Sequence, residues 1–405
     1  MVDRKFLSDL IYNACTSKKV TLLFGARQVG KSTLLKQFLN EQEKKKKTYK
    51  LINADNYYDR AYFNNTDKIT LINELSQYDY LAIDEAQKLE EMDLFIKNFA
   101  DYVKTESRLI LTRSSNIEIK NQIKESNAGR KREIEIYPPA IFEIYKDEKT
   151  AKTNLEDRLI FGSYPKISLS DKPLHRDERI DLLRSIVNDY LFKDIFTLDG
   201  LKNASKIEHL AMLVAYRAGQ ILNLNDLANE LQLNRATVEK YLELMEKSFL
   251  VFKLDSFSKE AATSLKKQNP SNAIKKQKKY YFYDNGIRNA LINDFSGLAF
   301  RSDIGALWEN FIIAEKRKLN KYIHSNSLKT YFWRVKANLG DQEIDLIEEL
   351  GDGKLNHLYA YELKYSKEET KIKIPSQWEK DFPLANFNVI NRSNFYEFLK
   401  ITPLL

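Results

Sequence analysis

Along the first third of the chain, short apolar segments alternate with segments whose apolar residues recur every three or four positions. The apolar segments are "KVTLLF" (19–24), "TYKLINA" (48–54), "DYLAIDEA" (79–86), "SRLILTR" (107–113) and "REIEIYP" (132–138). Between them lie helical patterns such as "DKITLINELSQ" and "MDLFIKNFADYVKTE". Strands that alternate with helices predict a parallel sheet covered on both faces, an α/β fold.

Farther on the pattern changes. Residues 147–197 read as helices, with "NLEDRLIFGSYPKI" and "ERIDLLRSIVNDYLFKDIF" carrying the three-to-four spacing. The segment "ILNLNDLANELQLNRATVEKYLELMEKSFLVFKL" gives a short helix, a turn at "QLN" and a second helix capped by Asn234. This is a helix-turn-helix, read as winged. The last hundred residues read as a helix ("GALWENFIIAEKRKL"), a β-hairpin turning at "NLGD", and an apolar strand ("HLYAYELKYSK"). The predicted parts are a core over 1–146, a helical lid over 147–197, a winged helix-turn-helix region with a basic loop over 198–300, and a small α/β domain over 301–405.

The first turn carries specific chemistry. In "LLFGARQVGKSTLLKQFL" the spacing of Gly25, Gly30, Lys31 and Ser32 fits G-x-x-x-x-G-K-[ST] between a strand and a helix. The amides of Gly25, Ala26, Arg27, Gln28, Val29 and Gly30, with the helix start at Lys31, Ser32 and Thr33, would converge on phosphate oxygens. Lys31 supplies the charge for the β- and γ-phosphates, and the Ser32 hydroxyl is a hard donor for Mg²⁺. The expected cofactors are ATP and Mg²⁺.

The third strand delivers Asp84 and Glu85 to its carboxyl end, where open α/β sheets bind ligands. Asp84 would hold Mg²⁺ through water, and Glu85 would polarise the attacking water. The next strand ends in "LTRSSN", which puts Thr112 or Ser114 where a polar group senses the γ-phosphate. Arg130, with Arg132 in reserve, is the candidate arginine finger for a neighbouring subunit's site, and Arg130→Ala should cut hydrolysis with little loss of ATP binding.

Composition narrows the setting. The 405 residues hold 65 Lys and Arg against 57 Asp and Glu, a net charge of +8 that favours a polyanionic partner. Arg235, Thr237 and Lys240 on the second helix of the helix-turn-helix are the candidates for a DNA groove. Cys15 is the lone cysteine, and His175, His209, His324 and His357 lack ligand spacing, so structural zinc is not expected. The first residues have no apolar signal region, and no apolar run approaches membrane-spanning length. A cytoplasmic location without a membrane partner is expected.

A second acidic set lies near the end. Asp345 on the hairpin and Glu362 on the next strand would be neighbours, Lys364 falls on the same face as Glu362, and Glu309 lies on the preceding helix. Carboxylates such as Asp345 and Glu362 can hold Mg²⁺ against a phosphodiester while a lysine acts on the attacking water. This is a restriction-endonuclease-like layout. Glu-x-Lys also occurs at 43–45, 118–120 and 369–371, so the weight rests on the ordered set. A domain of this fold that docks DNA or a protein partner without cutting stands beside the cleaving one.

Together "GARQVGKST", "LAIDEAQ", "LTRSSN", "GRKREIEIYP", "YYFYDNGI", "LWENF", "WRVKANLGDQEIDLI" and "YELKYS" resemble one family. It is the prokaryotic AAA+-type P-loop ATPases that carry a carboxy-terminal winged helix and a restriction-endonuclease-like domain. The resemblance implies nucleotide-driven conformational change and self-association into a homo-oligomer. Arg113 stands where such proteins usually have Gly after the sensing Thr, and "FGSYPKI" replaces the usual double-glycine lid segment.

Overall fold

The structure is a computed structural model. It describes the chain apart from residues 1–3, 18, 115–130, 171, 193–194, 197–203, 258–276, 324–327, 338–339, 352–356, 368–371 and 401–405. The chain divides into two compact units, one comprising Met1–Pro139, Asn188–Leu201 and Lys247–Phe249, the other Ala140–Val187, Lys202–Glu246 and Leu250–Leu405.

The first unit holds a five-stranded sheet in the order β2-β3-β4-β1-β5. Its strands are β1 (Val20–Phe24), β2 (Tyr49–Asn53), β3 (Tyr80–Asp84), β4 (Arg108–Arg113) and β5 (Lys131–Glu135). Every pairing is parallel. All residues of β1 and β3 are buried, as strands covered on both faces must be. Each fully buried Leu or Phe side chain there contributes about 1.5–3 kcal/mol. Helices α1 (Lys5–Ser17), α2 (Lys31–Lys44), α3 (Tyr57–Asn65), α4 (Lys68–Leu75) and α5 (Met92–Tyr102) belong to this unit. The order brings the carboxyl ends of β1, β4 and β3 side by side.

The second unit holds a six-stranded sheet in the order β11-β10-β9-β8-β6-β7. Its strands are β6 (Val251–Ser256), β7 (Lys278–Phe282), β8 (Leu328–Ala337), β9 (Gly340–Leu350), β10 (Leu358–Leu363) and β11 (Asn386–Ile390). β8 and β9 form the predicted hairpin, and β9 pairs antiparallel with β10. Phe257, Trp333, Ile344, Ile347, Leu358, Ala360, Trp378 and Phe382 form an apolar core against this sheet.

Two boundaries differ from expectation. β6 and β7, read as part of a separate winged region ending at residue 300, belong to the same sheet as β8–β11, because β6 pairs in parallel with β8 at Asp255–Tyr331 and Ser256–Phe332. The expected lid is divided as well: residues 147–187 lie in the second unit, and Asn188–Leu201 belongs to the first. Strand edges and helix faces satisfy their backbone and apolar surfaces wherever a partner is available, irrespective of distance along the chain. Among the described residues, no helix is long and apolar enough to cross a membrane.

Candidate functional site

The phosphate loop leaves the end of β1 and starts α2. A Cβ on Gly25 would lie 2.0 Å from the Ile136 carbonyl oxygen, so the bare backbone is what allows the close approach. Gln28 and Gly30 take positive φ of 62° and 98°, and Gly30 caps α2. Lys31 is buried, its Nζ donating to the carbonyls of Gly25 at 3.0 Å and Ala26 at 2.8 Å. The ammonium is thus folded back on its own loop, on weak acceptors that phosphate oxygens would outcompete. Arg27 is half-buried and Thr33 exposed.

Arg4 is a contributor that the sequence alone does not point to. It is buried, and its guanidinium donates to the carbonyls of Val29 at 3.0 Å and Tyr137 at 3.1 Å, pinning the loop from ahead of α1. No local signal marks it.

The strand ends supply the rest. Ser32 Oγ donates to Asp84 Oδ1 at 3.0 Å, and the Thr112 hydroxyl donates to the same oxygen. The Glu85 amide in turn donates to Thr112 Oγ1 at 2.9 Å. Glu85 has φ of 55°, a left-handed conformation that is uncommon for a residue with a side chain and worth noting at a candidate site. Gln87 Nε2 donates to the Glu85 carboxylate and, at 2.8 Å, to Ser114 Oγ, orienting the acid. Gln87 closes the stretch "YLAIDEAQ", but nothing local to it points to this role. Ser32 and Asp84 present a hydroxyl and a carboxylate oxygen together, a hard donor set that fits Mg²⁺. Arg113 is buried beside Thr112 in sequence. Arg130 lies outside the described residues, and Arg132 is exposed on β5.

In the segment expected to form a helix-turn-helix, Leu224–Leu231 leads through Gln232, at φ of 53°, into the helix Arg235–Lys247. Asn234 Oδ1 accepts from the Thr237 amide at 2.7 Å and from its hydroxyl at 2.8 Å, so Thr237 serves the cap. Arg235 Nε pairs with Glu239 at 3.0 Å, and Lys240 is exposed.

The second acidic set comes together in the second unit, joined by Lys279, Tyr281 and Glu343. Asp345 Oδ2 accepts from the Leu363 amide at 2.8 Å, and Glu362 pairs with Lys364 at 2.7 Å. Glu309, on the long helix Ile304–Ile323, accepts from Tyr281 Oη at 2.6 Å and from Lys279 Nζ at 3.1 Å. Lys279 also lies 2.5 Å from Glu343. Burial pushes the Glu309 carboxyl up to about 7, against the opposing pull of Lys279. Burial likewise raises Asp345 and Glu362. It works against the charge on Lys279 too, but Glu309, Glu343 and Asp345 outweigh it and raise that ammonium's pKa. The donor set is arranged around nitrogen donors and not around a divalent cation: the Lys279 ammonium stands between Glu309 and Glu343, Lys364 holds Glu362, and the Leu363 amide holds Asp345. Lys279 was legible only as part of a basic stretch, "KKQKKYY".

Comparison with known proteins divides the chain in three. Residues 17–145 match the family described as an AAA domain, 152–297 a domain of unknown function, DUF8612, and 304–399 another, DUF4143. An uncharacterized protein of Haemophilus influenzae is 24% identical over 369 residues, covering 87% of this chain and 84% of that protein. One of Mycobacterium tuberculosis is 24% identical over 371 residues, covering 90% and 74%. Among solved structures, the Walker-type ATPase of Pyrococcus abyssi is similar at a TM-score of 0.47 and 16% identity, covering 72% of this chain and 96% of that one. DnaA of Aquifex aeolicus bound to AMPPCP is similar at 0.31 and 17%, covering 59% and 86%. The AAA match spans the whole parallel sheet and its phosphate loop, and it supports an AAA-type P-loop ATPase fold for residues 17–145, a fold that suggests ATP binding and hydrolysis.

Proposed function

We propose that this protein is an Mg²⁺-dependent ATPase whose nucleotide state controls a DNA-binding carboxy-terminal half. The observation that carries the first part is the convergence of Ser32, Asp84, Thr112 and the Glu85 backbone at adjacent strand ends beside Lys31. In this reading Lys31 leaves the Gly25 and Ala26 carbonyls for the β- and γ-phosphates. Ser32 and Asp84 hold Mg²⁺, directly and through water, and Glu85 takes the proton of the attacking water while Thr112 holds the two acids in register. Arg130 from a neighbouring copy in a homo-oligomer completes the charge on the transferred phosphoryl group.

The net charge of +8 and the exposed positions of Arg235 and Lys240 support a nucleic-acid partner. Cleavage by that half would use Asp345, Glu362 and Lys364; the second reading, in which it docks DNA or a protein partner without cutting, is favoured by the ammonium of Lys279 among the carboxylates.

The test is ATP turnover and duplex affinity of the full chain with ATP, with ADP, and in Lys31→Ala, at two salt concentrations. Turnover should vanish in Lys31→Ala, and DNA affinity should differ at least several-fold between nucleotide states and fall with salt. Equal DNA affinity in every state would sink the control of DNA by nucleotide, and normal turnover in Lys31→Ala would sink the ATPase site.

A further inference from the structure

The carboxylates of the second unit surround a lysine from a strand far from them in sequence. Lys279 is 2% exposed, with its Nζ 3.1 Å from Glu309 Oε1 and 2.5 Å from Glu343 Oε1. Tyr281, two residues along β7 and therefore on the same face, donates to the same Glu309 oxygen at 2.6 Å. The cluster is closed on another side by Gly219, where a Cβ would lie 3.1 Å from the Glu309 carboxylate.

Each of the other carboxylates has an engaged oxygen as well. Glu343 pairs with Arg334 at 3.2 Å, Glu362 with Lys364 at 2.7 Å, and Asp345 accepts the Leu363 amide at 2.8 Å. Four carboxylates therefore face three side-chain cations, and the cation with least exposure sits deepest. Magnesium demands near-octahedral oxygen ligands at about 2.1 Å. Here Glu309 Oε1, both Glu343 oxygens, Glu362 Oε1 and Asp345 Oδ2 are turned instead toward N–H and O–H donors. A divalent ion entering among them would meet an ammonium that has no route to solvent without breaking both of its ion pairs.

We propose that Lys279 is the resident cation of this cluster, filling with an ammonium the place a divalent ion takes in a metal-dependent phosphodiesterase site. The native cluster therefore takes up neither Mg²⁺ nor Mn²⁺. Exchanging the ammonium for an apolar group of similar length takes from Glu309 and Glu343 the cation they share, removes the nearby positive charge that Asp345 feels, and opens a divalent site. The inference concerns the second unit and is independent of whether the first hydrolyses ATP.

Mn²⁺ binding to the full chain without nucleotide, followed calorimetrically and by electron paramagnetic resonance, tests it. The preparations are the native protein, Asp345→Asn, Lys279→Met, and Lys279→Met combined with Asp345→Asn. Native protein and Asp345→Asn should give the same titration, since any Mn²⁺ held at Ser32 and Asp84 is common to both. Lys279→Met should gain one site at least tenfold tighter than anything in the native protein, raise its melting temperature when Mn²⁺ is added, and lose both in the double variant. A native site lost in Asp345→Asn, or a folded Lys279→Met without the new site, overturns the proposal. Should Lys279→Met not fold, the comparison of native protein with Asp345→Asn decides alone: identical titrations uphold the proposal, and a site lost in Asp345→Asn overturns it.

Discussion

Thr112 and Glu85 meet across two strand ends: the amide of Glu85 donates to Thr112 Oγ1 at 2.9 Å, while that hydroxyl donates onward to Asp84 Oδ1. Thr112 is fully buried. Thr112→Val keeps the shape and removes both bonds, leaving the part-buried Glu85 amide without its partner, at about 1–3 kcal/mol, and Asp84 Oδ1 with Ser32 alone. The variant should melt lower and turn ATP over at least tenfold more slowly, with nucleotide affinity little changed. Turnover at the native rate would mean that Thr112 only packs.

Glu85 holds a left-handed backbone conformation, and Gln87 fixes its carboxylate. Glu85→Gln should bind ATP normally and hydrolyse it slower by roughly 10²–10⁴, the usual contribution of a general base. Single-turnover hydrolysis of labelled ATP separates binding from chemistry; normal hydrolysis would assign the base elsewhere.

At Gly25 a Cβ would fall 2.0 Å from the Ile136 carbonyl oxygen, a backbone atom that cannot swing aside. Gly25→Ala should therefore lose nucleotide binding and melt several degrees lower. Gly305→Ala, where nothing lies within 4 Å of the added carbon, is the control and should be neutral or slightly stabilising in its helix. Equal effects at both positions would show that the loop can shift to accept a methyl group.

Asp303 accepts from Arg301 Nη2 at 2.8 Å and from Arg288. Burial works against its charge, but the two guanidiniums prevail and lower its pKa from 3.8 to about 2. Because the folded value is depressed, the stabilisation is present above pH 3.8 and is lost as pH falls toward 2. Asp303→Asn should cost on the order of 2 kcal/mol at neutral pH and flatten the acid limb of the unfolding profile between those values. An unchanged acid limb would place the acid sensitivity elsewhere.

The sequence by itself determined the local parts of both sites. The glycine and lysine spacing of the phosphate loop, the strand that ends in Asp84 and Glu85, and the alternation that puts Lys364 on the same face as Glu362 are all encoded within a few residues, where the backbone period dictates which side chains share a face. Only the tertiary structure decided which distant residues complete them. Arg4 reaches the loop from 25 positions away, and Lys279 reaches Glu309 from 30. β6 and β7, patterned like any strand pair, joined the second sheet through an edge that β8 left open. Periodicity shows that a strand has a buried face but leaves its partner unspecified, because parallel and antiparallel edges offer the same hydrogen-bonding groups at every position. A buried ammonium among carboxylates follows from that choice of partner, and no spacing in the chain announces it.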